Sequence, residues 1–69
     1  MKVKTEITSN VWKILVCVGD VVVEGQELMI LESMKMEIPI ESPRDGLVKA
    51  ILVKEGQAVN DGQEVLELE

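Results

Sequence analysis

Sixty-nine residues carry seven basic and thirteen acidic side chains, a net charge of −6, one cysteine and no histidine. That length makes one small domain, residues 1–69, and that balance leaves no basic face for nucleic acid, no internal disulfide and no Cys/His metal cluster. The longest unbroken apolar run, Ile14 to Val18, is too short to cross a bilayer. Lys2 and Lys4 are followed by polar residues where a signal peptide would be apolar, so a cytoplasmic location without membrane attachment is expected.

Valine, isoleucine and leucine are abundant and Trp12 is the only aromatic residue, a balance that favours strands. In chain order, Lys2 to Ile7 reads as a weakly alternating strand and Thr8-Ser9-Asn10 as a turn. Val11 to Val18 reads as an apolar strand stopped by Gly19-Asp20. Val21 to Val23 is a short strand stopped by Glu24-Gly25, and Glu27 to Glu32 is another. Glu32-Ser33-Met34-Lys35-Met36-Glu37 follows, with Lys35 the middle residue of the chain. Beyond it come Ile38-Pro39-Ile40, a turn from Ser42 to Gly46, a strand from Leu47 to Val53, the pair Ala58-Val59 and a cleanly alternating strand from Glu64 to Leu68.

A shift of 37 residues lays positions 11–32 on 48–69 with 11 identities in 22 positions. Two copies are too few for a solenoid. They predict an all-β fold: two copies of a small β unit, related by a pseudo-twofold axis, that close into a sandwich or flattened barrel. Positions 11/48, 14/51, 16/53, 22/59, 28/65 and 31/68 are apolar in both copies and form the predicted core. Cys17 meets Lys54 and Trp12 meets Lys49, which places both at least partly in solvent. The gap between positions 11 and 14 breaks alternation and predicts a β-bulge. Glu27 to Glu37 is rich in helix formers, yet its repeat partner alternates as a strand, and the repeat decides. Lys35 falls in the crossover between the copies, so one end of the molecule carries the lysine turn and the other the two termini. Met34-Lys35 is poor turn chemistry, because a tight hairpin favours Asn-Gly or Asp-Gly. Such a conflict is expected at a functional site.

No catalytic residues are predicted. Ser9, Ser33 and Ser42 have no histidine partner for a triad, the paired carboxylates lie on alternating surface strands, and the glycines read as turn residues.

Glu32-Ser33-Met34-Lys35-Met36-Glu37 resembles the Glu-Ala-Met-Lys-Met motif of the biotinyl domains of biotin-dependent carboxylases. The resemblance extends through Val18-Gly19-Asp20, Glu24 to Leu28, Asp45 to Ile51, Glu55 to Val59 and Gly62-Gln63. It implies a flattened eight-stranded barrel or sandwich of two four-stranded antiparallel sheets, in agreement with the repeat, and a carrier that is not itself an enzyme, with biotin in amide linkage on Lys35. Glu32, Ser33, Met34, Met36 and Glu37 would be recognised by a biotin protein ligase and other partners. A biotin carboxylase and a carboxyltransferase, as in acetyl-CoA carboxylase, would complete the partner set. Ser33 replaces the usual alanine, and an Ala-Pro-Met-Pro-Gly near the start is missing. No long Ala/Pro-rich linker and no inserted "thumb" segment is present, so a minimal carrier is expected, free-standing from its start at Met1. Lipoyl domains share the fold but usually show Asp-Lys-Ala, which leaves a lipoyl or dual biotin/lipoyl acceptor as the main alternative. An unmodified structural adaptor of the same fold is the second.

Overall fold

The computed structural model describes residues 1–69. Eight strands and no helix make up the chain. They are β1 (Lys2–Lys4), β2 (Ser9–Ile14), β3 (Val21–Val22), β4 (Glu27–Ser33), β5 (Met36–Glu41), β6 (Gly46–Ile51), β7 (Ala58–Val59) and β8 (Glu64–Leu68). Two four-stranded sheets form, in the orders β1-β8-β6-β3 and β5-β4-β2-β7, and every pairing is antiparallel. Adding four to each strand number converts the first order into the second, with β8 returning to β4. The predicted pseudo-twofold is therefore present in the topology itself.

The repeat reaches further back than identity reveals. Residues 2–10 and 39–47 share no identical residue at nine aligned positions, yet they make the same bonds. Thr5 and Ser42 are buried polar equivalents, and each hydroxyl donates to the carbonyl two residues on, at Ile7 and Arg44. The Thr5 carbonyl accepts from the Gly62 N–H at 2.8 Å, as the Ser42 carbonyl accepts from Gly25 at 2.8 Å. Both bulges appear as well, between Val11 and Lys13 and between Val48 and Ala50.

Thirteen buried apolar side chains from both sheets fill the space between them. They include Val11/Val48, Val16/Val53, Val22/Val59, Leu28/Val65 and Leu31/Leu68, five of the six predicted pairs. The sixth, Ile14/Ile51, is half-buried and packs against the cluster. Cys17 is exposed and Trp12 keeps 43% of its surface in solvent, as the shift predicts.

Three segments end elsewhere than the residue pattern predicts. β1 stops at Lys4 because the Thr5 hydroxyl closes a local turn, accepting the Ile7 N–H and donating to the Ile7 carbonyl. Ser9 and Asn10 belong to β2 and pair with Val59 and Ala58, so polar residues that read as a turn are rim strand. The apolar run after Ile14 is a corner. Val16 alone turns inward, Leu15 and Val18 stay exposed, and the Cys17 N–H donates to the Asp20 carboxylate at 2.8 Å.

Pro39 lies in β5, an edge strand, opposite Ile30. An edge is where a missing N–H removes no ladder bond. Gly25 holds φ at +84°, and no atom lies within 4 Å of the point a Cβ would occupy. Gly25→Ala is therefore expected to cost about 1–2 kcal/mol through backbone conformation alone, read as a lower urea midpoint with an unchanged m-value.

Candidate functional site

β4 and β5 form a hairpin closed by the pair Ser33↔Met36, with Leu31↔Ile38 and Glu32↔Glu37 behind it. Only Met34 and Lys35 remain for the loop. Their φ angles are +51° and +65°, and no other non-glycine residue in the chain has positive φ. Positive φ at both central positions is the signature of a type I′ turn, whose twist matches that of the flanking strands. Seven residues of β4 against six of β5 enforce the register, so tertiary structure overrides two residues that avoid this region. Replacing the pair by Asn and Gly (Met34→Asn with Lys35→Gly) is expected to stabilise the fold by about 1–2 kcal/mol, measured by equilibrium denaturation.

The turn holds its side chains away from the body. Met34 is 91% and Met36 64% exposed, and Lys35, Glu32 and Glu37 are exposed while Ser33 is half-buried. The single ion pair of the molecule is Lys2–Glu64 at 3.4 Å, so no carboxylate engages the Lys35 ammonium. Between Glu27 and Glu41 the hairpin carries four carboxylates against that one cation. They stand as like-charge cross-strand pairs, Glu32↔Glu37 near the tip and Glu27↔Glu41 at the base. Such pairs do not help the sheet.

The motif residues thus converge on one protruding tip. Four residues that the motif does not include join them: Thr8 just before β2, Ser9 and Asn10 at its start, and Ala58 in β7 line a shallow recess of about 240 Å³ beside Glu32, Ser33 and Met34. The β2–β4 pairing sets Asn10 opposite Glu32 and the β2–β7 pairing sets Ala58 beside Asn10, and nothing in their local sequence signals it.

A rigid two-sheet body that raises one short hairpin clear of itself is built for presentation, and it defines a carrier domain. The comparisons agree. The family model described as "Biotin-requiring enzyme", which covers biotin and lipoyl attachment, matches residues 1–68. The chain belongs to this biotin/lipoyl attachment family. It is 52% identical over 68 residues to a biotin/lipoyl attachment protein of Bacillus subtilis, covering 99% of this chain and 93% of that one. It is 51% identical over 57 residues to a biotin carboxyl carrier protein of Streptococcus mutans, covering 83% of this chain and 44% of that one. A dihydrolipoyllysine-residue acetyltransferase component of pyruvate dehydrogenase complex from Pseudomonas aeruginosa is 46% identical over 60 residues, 87% of this chain and 11% of its own. Among solved structures, the urea carboxylase of Kluyveromyces lactis superposes with a TM-score of 0.94 at 33% identity, covering 100% of this chain and 6% of that one.

Proposed function

We propose that the chain is a biotin carboxyl carrier, with Lys35 as the covalent attachment residue. The carrying observation is the exposed, unpaired Lys35 at the centre of the one non-glycine positive-φ turn, between two exposed methionines. The residues fit the group: a primary amine free of partners, on a tip that nothing overhangs, can enter another protein's active site. Only a neutral amine has a lone pair to attack with, so a biotin protein ligase has to take a proton from Nζ. The freed lone pair then attacks the acyl carbon of biotinyl adenylate, an amide forms and AMP departs. Glu32, Ser33, Met34, Met36 and Glu37 frame that approach, with the methionines as a deformable apolar contact. Once held there, biotin would supply the atom that accepts a carboxyl group at a biotin carboxylase and yields it at a carboxyltransferase. The domain holds the arm near both sites at high effective concentration. Amide formation removes the only cation between Glu27 and Glu41, leaving a purely acidic hairpin.

The lipoyl relative favours a second reading, in which the same amine accepts lipoate. Incubation of the protein with ATP, biotin and a biotin protein ligase, beside lipoate and a lipoate ligase, separates the two by intact mass. A gain of one biotinyl group is expected. Lipoyl alone would replace the first reading with the second, and no adduct with either would overturn both.

A further inference from the structure

The pseudo-twofold permits a comparison of the two outer faces, residue by residue. On the hairpin's sheet, the bulge sets Trp12 and Lys13 together opposite Ile30, and Ile30 in turn pairs with Pro39. This row crosses three strands. Pro39 is exposed, Ile30 half-buried and Trp12 43% exposed. The Lys13 ammonium lies 5.7 Å from the centre of the indole ring, close enough for a cation–π contact that limits its motion. The equivalent row on the other sheet is Lys49 and Ala50 opposite Glu67, which pairs with Lys2. The same fold thus accepts charge at the positions of Trp12, Ile30 and Pro39, so their apolar character serves something other than folding.

The next row toward the tip is Asn10, Glu32 and Glu37, where two carboxylates face each other unpaired. A tryptophan among apolar side chains matches the composition of protein-interface hot spots, and the uncompensated carboxylates beside it offer charge complementarity to a basic partner.

We infer that the outer face of the β5-β4-β2 sheet, centred on Trp12 and Ile30 and bordered by Glu32 and Glu37, is the surface on which the biotin protein ligase docks. The ligase would meet it with an apolar pocket for the indole and basic side chains for the two carboxylates. The inference rests on the reading of Lys35 as the biotin acceptor. In the loading step the reacting atom is Nζ itself, so the body of the carrier must approach its partner to within one lysine side chain. The Ile30–Pro39 row stands four to five residues behind Lys35, about 13–16 Å along the strands. A partner that encloses the tip therefore reaches it.

The test is steady-state loading of the full chain by a biotin protein ligase, with biotin and ATP, followed by intact mass. Trp12→Lys and Ile30→Glu import the residues of the other sheet. Lys49→Ala, on that other sheet, is the control. Both imports are expected to raise KM for the carrier at least about tenfold with kcat unchanged, while the control leaves both constants alone. Trp12→Lys gives up the cation–π contact with Lys13 and the covered part of the ring, so thermal circular dichroism checks that it is fully folded at the assay temperature. Wild type loaded, with Trp12→Lys loaded at the same KM, would overturn the docking surface and leave Lys35 as acceptor. An equal rise for Lys49→Ala would overturn it too. A wild type that no biotin ligase loads would remove the acceptor reading, and the docking surface with it.

Discussion

Lys35→Arg is expected to abolish biotin incorporation while leaving the fold intact. The substituted side chain sits on an exposed tip with no ion pair, so nothing packed is lost and the melting temperature should not move. The chemistry fails outright. A guanidinium surrenders its proton at least about a hundredfold less readily than an ammonium, and its delocalised nitrogens are poor nucleophiles. The geometry fails as well, since the planar fork places nitrogen differently from Nζ. A fall of more than about a thousandfold in loading rate is the combined expectation, read by intact mass and by avidin capture. The five remaining lysines, Lys2, Lys4, Lys13, Lys49 and Lys54, provide the internal control. A biotin adduct that persists on Lys35→Arg would place the acceptor among them and refute the assignment.

Leu31→Ala is expected to bring the domain to the edge of unfolding. Leu31 is fully buried, in the strand that joins the core to the lysine turn, opposite Val11 on one side and Ile38 on the other. Leucine truncation at such a site costs about 3–5 kcal/mol. Total stability for a domain of this size is on the order of 4–10 kcal/mol, and a fall of about 15–30 °C in melting temperature follows. Leu68→Ala, its equivalent under the pseudo-twofold and equally buried, should match it to within about 1 kcal/mol. Leu15→Ala, at a half-exposed corner, should cost about 0.5 kcal/mol or less. Unequal losses at Leu31 and Leu68 would show that the halves share a shape without sharing the load.

Legibility in the sequence followed the physics of what a side chain can report. The core was readable because burial demands apolar residues in both copies. Val11/Val48 and Leu31/Leu68 fall where the 37-residue shift places them. The bulge was readable as broken alternation, which the register shift at Val11/Lys13 explains. Residues 2–10 and 39–47 were unreadable as copies, because what they preserve is backbone bonding plus one hydroxyl. Thr5 and Ser42 satisfy that requirement with different residues. Polarity misled at Ser9 and Asn10, which are strand at the barrel's rim. Apolarity misled at Leu15 and Val18, which line a corner. At the tip, residue chemistry marked Met34-Lys35 as an unsuitable turn, and the backbone takes that turn regardless. Ala58 beside the tip depends on the pairing of β7 with the distant β2, for which no local pattern exists.

The termini occupy the place in their sheet that the hairpin occupies in its own. The Met1 ammonium donates to the Leu68 carbonyl at 2.7 Å, and the Leu68 N–H donates to the Met1 carbonyl at 2.7 Å. Met1 and Leu68 thereby stand as Ile38 and Leu31 do. Residues 33–37 span the path from Glu32 to Ile38, so five residues would span the path from Glu69 to Met1. A bridge of Ser-Met-Lys-Met-Glu would close the backbone into a loop without ends, bearing a modifiable amine at each pole. New termini could then be opened at the original tip, giving a permuted carrier whose active pole is where its ends now lie.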